Sequence, residues 1–211
     1  LTQQSMMSST IRNTAQIAYS QRFLLGEKPP GVTEQIEGTS PVASFAYSGA
    51  ATKQGRVTIT ATAYTTKATL WLNLPIKLSQ YSEVEIEFVN FKLSTSQQAL
   101  ISFGAGLKLD ENTKIEFGKE TLARVKKSST AGEETVRNIP GYDMGFRKTF
   151  KMVITKTSVK FYIDNMFGAE LTTNIPLDAV LKPFVMIYNN ETGGGNPKNL
   201  KIDEINIKLR D

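Results

Sequence analysis

The sequence predicts an all-β protein, a two-sheet antiparallel β-sandwich over residues 31–211 behind a short, partly helical or extended arm over residues 1–30. Three observations carry that expectation. Apolar and polar residues alternate over many short segments, the period of half-buried strands. Those segments are rich in Val, Ile, Thr, Tyr and Phe, which suit a pleated surface, and clusters of Gly, Pro, Asn and Asp separate them. No long helical pattern and no internal repeat follows residue 30.

The arm reads differently from the rest. Leu1 to Ser20 is rich in Gln, Ser and Thr. Met7, Ile11, Ala15, Ala18 and Phe23 recur near the helical period, predicting a short helix from Ser9 to Phe23. Gly26 and Pro29-Pro30-Gly31 end it. So few apolar residues bury little surface, and an isolated helix of this length is marginal in water. The expectation is an attachment segment that stays out of the sandwich core, contacts other virion or surface proteins and supports a homo-oligomer.

Strands begin after Gly31. Val42–Tyr47 and Arg56–Thr65 come first, then Ala68–Leu74, where Trp71 falls on the polar beat between Leu70 and Leu72. Glu83–Leu93 is the longest, with Val84, Ile86 and Phe88 on one face and Glu83, Glu85 and Glu87 on the other, the pattern of a solvated outer face. Leu100–Leu109 and Thr113–Phe117 form a hairpin around Asp110-Glu111-Asn112, and Lys126–Arg137 reads as a polar hairpin or loop. Phe150–Leu171 is the clearest stretch: Met152 and Ile154, then Val159, Phe161 and Ile163, with turns at Lys156-Thr157-Ser158 and at Asn165. Phe184–Tyr188 and Leu200–Leu209 complete the set, separated by a Gly-rich loop. The alternation of the last segment slips at Asp203-Glu204, which predicts a β-bulge.

Composition sets limits on chemistry. The 211 residues are 40% hydrophobic and 21% charged, enough for one large core. Cysteine and histidine are absent, which removes disulfides, thiol nucleophiles, Cys- or His-bound metals and any Ser-His-Asp triad. The net charge is +5, with basic residues crowded between Lys119 and Lys160. The neighbouring Phe146, Phe150 and Phe161 fall on core beats, so a solvated face is expected there and nucleic acid is not. No apolar run is long enough for a membrane helix, and no membrane insertion is expected.

Phe161-Tyr162-Ile163-Asp164-Asn165-Met166 and the closing Ile202-Asp203-Glu204-Ile205 together resemble the concanavalin A-like lectin/glucanase superfamily in its laminin-G-like form. Asn165 stands where that pattern has Gly, and Asn also tolerates the left-handed conformation. The resemblance implies a jelly roll of the kind found in sugar-binding modules, glucanases and virion appendages. It carries no activity by itself. The polar arm ahead of a sandwich is most similar to the virion group, so the expected location is a virion or the extracellular surface, with the cytoplasm left open.

Two kinds of site follow. A non-catalytic ligand site would use Tyr64, Trp71, Tyr188, Asn189 and Asn190, because rings stack on pyranose faces while amides fix hydroxyls. A glycan, a cell-surface receptor or a partner protein would be the ligand. The alternative is a retaining glucanase using Glu83 and Glu87. The superfamily's Glu-x-Asp-x-(x)-Glu pattern is implied there by resemblance, with Glu85 in place of the Asp. No catalytic residue and no cofactor is expected. Asp110-Glu111-Asn112 and Asn189-Asn190-Glu191 offer oxygen ligands to calcium, but neither has the spacing of a defined loop, and turn chemistry accounts for both.

Overall fold

The structure, a computed structural model, describes residues 16–23, 27–48, 55–93, 101–118, 122–128, 132–136, 139, 146–190 and 197–211. Among these, the strands in chain order are β1 (Gln16–Arg22), β2 (Val32–Glu37), β3 (Ala43–Ser48), β4 (Arg56–Ala61), β5 (Lys67–Leu72), β6 (Ile76–Lys77), β7 (Glu83–Leu93), β8 (Ile101–Asp110) and β9 (Thr113–Gly118). They continue with β10 (Leu122–Lys126), β11 (Glu133–Val136), β12 (Lys148–Thr155), β13 (Val159–Ile163), β14 (Met166–Leu171), β15 (Val180–Asn189), β16 (Lys198–Ile202) and β17 (Glu204–Arg210). One 3-10 turn, Leu78–Gln80, interrupts them. The strands form two antiparallel sheets. The first runs β14-β13-β12-β7-β16-β4-β3, with β17 beside β7 and β1 beside β17. The second runs β11-β10-β9-β8-β15-β5-β2, with β6 beside β15.

The inner faces of the two sheets meet in one core, as the alternation requires. Val84, Ile86 and Phe88 of β7 are buried, and so are Met152, Ile154, Phe161, Ile205 and Ile207 around them. Leu70, Leu72, Leu107, Ile115, Val185 and Ile187 supply the opposite sheet. Phenylalanines tie the sheets at one end: Phe117 lies 4.7 Å from Phe150 and 5.1 Å from Phe161, and Phe91 lies 5.0 Å from Phe150. Phe91 is inside because β7 changes phase at Asn90, whose φ of 56° is left-handed. Without that slip Phe91 and Leu93 would face solvent.

The same device operates at the C-terminus. β16 and β17 are one strand broken at Asp203, where the alternation slips as expected. The Asp203 amide donates to the Val89 carbonyl, and its carboxylate accepts from Arg56 at 2.7 Å and from Asn90 at 2.9 Å. The Asp164-Asn165 turn between β13 and β14 has φ values of 50° and 64°, which both residue types tolerate.

Three expectations need correction. Residues 16–22 are a strand where the apolar spacing predicts helix: β1 pairs with β17 from Gln16↔Arg210 to Arg22↔Glu204. Phe23 is fully buried with its ring 6.1 Å from that of Tyr47, so this part of the arm joins the sandwich core. The hydrogen-bond ladder and one apolar anchor outweigh a sparse helical beat. Residues 9–15 of the predicted helix lie outside the described residues. The polar hairpin expected over Lys126–Arg137 is there, with β11 folding back on β10. Second, Phe146 is 67% exposed and not core. Third, β15 begins four residues ahead of the expected Phe184, running through Pro183. Its pairing with β6 ends at Leu181 and that with β5 starts at Phe184, so the proline sits in the gap, where no ladder donor is needed.

Candidate functional site: the outer face of the eight-stranded sheet

The register of the second sheet decides which side chains share its outer face. Trp71 pairs with Thr33 on one side and Phe184 on the other, Phe184 with Gly106, and Gly106 with Glu116. Residues directly opposite in an antiparallel pair point to the same side. Thr33, Gln35, Trp71, Lys182, Phe184, Lys108, Glu116 and Arg124 therefore face outward together. Phe184 is fully buried although it stands outside the central core cluster. Trp71 covers it at 5.7 Å between ring centroids, and the Lys108 ammonium lies 5.3 Å from its ring. Gly104 of β8 leaves room for it: a Cβ there would stand 3.0 Å from the Phe184 ring.

Above this floor is a cleft of about 330 Å³ lined by Thr33, Gln35, Trp71, Asn73, Lys108, Leu109, Val180 and Lys182. Two pairs of its polar groups are fixed. The Trp71 indole N–H donates to Gln35 Oε1 at 2.8 Å, and the Thr33 hydroxyl donates to Asn73 Oδ1 at 3.1 Å. Trp71 is half-buried, so part of its ring remains open to the cleft.

A charge network borders the cleft. Lys108 donates to Glu111, which also accepts from Lys67 at 2.8 Å. Lys67 reaches Glu37 at 3.0 Å, and Lys114 bridges Glu111 and the buried Glu116. Burial alone would raise the Glu111 carboxyl, but hydrogen bonds from Lys108 and Lys67 and their charges overcome it and hold the group at about 2. Lys108 is 4% exposed, and burial pushes its ammonium down further than Glu111 lifts it. Lys67, also opposed by burial, is raised by its two carboxylate partners. No cluster of three or more carboxylates among the described residues is placed to hold a metal ion. Asp110-Glu111-Asn112 forms a turn closed by the Asn112 amide on Asp110 Oδ1 at 2.8 Å.

The structure separates the ligand candidates read from the sequence. Trp71 lines the cleft. Tyr188 is four residues further along β15, opposite Lys67, about 13 Å away by strand rise. Tyr64, 48% exposed, stands in the loop that follows β4, and that loop is tied to the end of β15 by Thr65 N–H on Asn189 O. Asn190 is exposed at the same end. Asn189 is fully buried and donates its side-chain amide to the Ala61 and Thr62 carbonyls, which makes it a structural residue and takes it out of the ligand set. The Gly-rich loop over 191–196 lies outside the described residues.

Glu83 and Glu87 lie elsewhere, on the outer face of the nine-stranded sheet. Glu83 pairs with Arg210, Glu85 with Lys208 at 2.7 Å, and Glu87 accepts from Asn206 at 3.2 Å. Glu83 and Glu87 stand four residues apart on one strand, about 13 Å along the backbone, and Arg210 and Asn206 engage them separately. The basic residues of β12 and β13 are also engaged: Lys148 with Asp164 at 3.0 Å, Lys151 with Asn165 at 2.9 Å, Lys160 with Glu170 at 3.9 Å. Lys119 and Arg137 of that basic stretch lie outside the described residues.

Of the residues lining the cleft, the sequence singles out Trp71 and not Gln35, Lys108 or Lys182. Only the pairing of β2, β8 and β15 around β5 brings them to one place. The one available signal was the isolated Trp on a polar beat.

No family model matches the chain, and no curated protein sequence matches it. Solved structures do. The chain is similar to a Bacteroides ovatus mixed linkage glucan GH16 protein in complex with a glucan product, with a TM-score of 0.62 at 10% identity, covering 90% of this chain and 99% of that one. It is similar to the catalytic domain of an endo-1,3-beta-glucanase (laminarinase) from Thermotoga petrophila, with a TM-score of 0.61 at 12% identity over 94% of this chain and 99% of that one. It is also similar to the carbohydrate recognition domain of Emp46p, with a TM-score of 0.57 at 11% identity over 90% of this chain and 95% of that one. Glucanases and lectin domains thus share the architecture, and identities this low speak for fold alone. The chain has the concanavalin A-like jelly-roll fold of the lectins and glucanases.

Proposed function

We propose that the chain is a non-catalytic carbohydrate-binding module that stacks a sugar ring on Trp71 in the cleft of the eight-stranded sheet. The observation that carries this reading is the Trp71 environment: a half-exposed indole over a buried Phe184, its N–H fixed by Gln35, with Thr33, Asn73 and Lys182 around it. A rigid aromatic platform with a few oriented polar groups is what ring stacking and hydroxyl recognition need. The Emp46p domain, a carbohydrate recognition domain, supports the fold's use for sugars.

The hydrolase reading has one supporting observation, the GH16 neighbours. Against it, Glu83, Glu85 and Glu87 on one sheet and Glu111 and Glu116 on the other are each engaged by Lys, Arg or Asn. A general acid needs a raised carboxyl, and Glu111 is lowered. Display on a virion or cell surface is a further part of the proposal, supported only by the polar sequence ahead of β1. A glycan array probed with the wild type and with Trp71→Ala tests the binding reading: hits lost in the variant support it. Reducing ends released from β-glucans, and abolished in Glu83→Gln, would overturn it in favour of hydrolysis.

A further inference from the structure

We infer that the sugar held in the Trp71 cleft is acidic, a saccharide whose ring carries a carboxylate or a sulfate, and that Lys182 is the residue that reads the charge. This rests on the proposed function of the same cleft and names its ligand class.

The first argument is the charge of the lining. Of its eight residues two are lysines, Lys108 and Lys182, and none is acidic. The two lysines are direct cross-strand partners of β8 and β15 on the same face. Like charges in that register oppose each other, so the arrangement costs stability unless an anion joins them. Lys108 has its own anion in Glu111 and packs its ammonium on Phe184. Lys182 has neither. It is exposed and makes no ion pair among the described residues. Lys77, opposite Val180, adds a third cation at the rim, where its ion pair among the described residues is with the exposed Asp178, at 3.9 Å.

The second argument is geometry. Trp71 and Lys182 are a diagonal pair across β5 and β15, since Trp71 stands opposite Phe184 and Lys182 is two residues before it on the same face. Diagonal neighbours are about 7–8 Å apart at the backbone, within reach of a Trp and a Lys. A pyranose stacked on the indole would present its exocyclic carboxylate or ester sulfate toward an ammonium at that distance. Thr33, across Trp71 from β15, and Asn73, two residues along the chain from Trp71, are left for hydroxyls. A lysine is a flexible point charge and accepts either anion, so the chemistry recognised is the negative charge beside a stacked ring.

The chain contains one tryptophan, so its fluorescence reports this cleft directly. The test titrates the full chain with three probes: a glucuronic acid tetrasaccharide, the same tetrasaccharide carboxyl-reduced to its neutral form, and a sulfated disaccharide. Calorimetry accompanies each titration. The expected result is saturable quenching by one or both acidic probes, with affinity about tenfold above the neutral one and falling with added salt. Which acidic probe binds tells carboxylate from sulfate. Lys182→Gln brings the acidic probe to the neutral level, and Trp71→Ala removes binding of all probes. Equal affinity of the wild type for acidic and neutral probes, lost in Trp71→Ala, overturns the acidic inference and leaves the sugar-binding reading standing. Acidic binding that persists unchanged in Trp71→Ala is charge attraction elsewhere and also overturns it. No binding of any probe by fluorescence or heat overturns both.

Discussion

Gly106 gives the sharpest test of how the outer face is packed. It lies between Phe184 of β15 and Glu116 of β9 in the register. A Cβ placed on it would stand 2.0 Å from the Ile115 carbonyl oxygen, 2.8 Å from Glu116 Cα and 3.0 Å from the Ile115 carbonyl carbon. All three are backbone atoms of the adjacent strand, so no side-chain rotation relieves the clash. β9 has to move away from β8, loosening the ladder that carries Lys114 and Glu116. Overpacking of this kind costs about 1–3 kcal/mol, and a backbone clash belongs at the upper end. Alanine recovers somewhat under 1 kcal/mol by restricting the unfolded chain. Gly106→Ala is therefore expected to lose about 2 kcal/mol, or about 4–8 °C of melting temperature in a domain of this size. Gly104→Ala is the control. Its Cβ meets the tip of Glu116 at 2.9 Å and the edge of the Phe184 ring at 3.0 Å, both of which can shift, so its loss should be smaller. Thermal melts followed by circular dichroism measure both. A Gly106→Ala protein as stable as wild type, or a Gly104→Ala protein less stable than Gly106→Ala, would refute the packing argument.

Three other outcomes follow from the fold. Phe23→Ala, which empties a fully buried site beside Tyr47, should cost about 3–5 kcal/mol in urea titrations, and a near-neutral result would mean that β1 is not part of the core. Asp203→Ala strands the half-buried Arg56 and frees Asn90 from the side chain that holds the bulge. It should cost about 3 kcal/mol, with Asp203→Asn costing less. The lowered Glu111 carboxyl contributes stability that is complete above its ordinary value of 4.5 and is lost as pH falls through about 2. Glu111 is 57% exposed, so solvent screening reduces that contribution to about 1 kcal/mol. Urea melts of wild type and Glu111→Gln should therefore differ at pH 6 by that amount and converge toward pH 2.

Local patterns made much of the sandwich legible. Glu83–Leu93 is legible as one strand because alternation from Glu83 to Phe88 leaves no other period and Phe91 and Leu93 resume it beyond the slip at Asn90, and the bulge at Asp203 shows as a phase slip. What failed was whatever depends on a distant partner. Residues 16–22 become a strand because Glu204–Arg210, at the far end of the chain, offers them an edge, and nothing local records that. Pro183 hid the first half of β15, because its tolerance depends on a gap between β5 and β6. The cleft was legible only at Trp71. Gln35, Lys108 and Lys182 are ordinary polar residues of three other strands until register brings them beside it, and Asn189 read as a ligand although its amide is used to close the end of β4.

The proposed function places ligand binding on the outer face of the eight-stranded sheet and not on the Glu83–Glu87 face. The most direct measurement compares wild type, Trp71→Ala and Glu87→Gln on one glycan array, with reducing ends assayed on every hit. The account predicts that Trp71→Ala loses the hits, that Glu87→Gln keeps them and that no reducing ends are released. Hits retained in Trp71→Ala but lost in Glu87→Gln, or turnover of any hit, would contradict it.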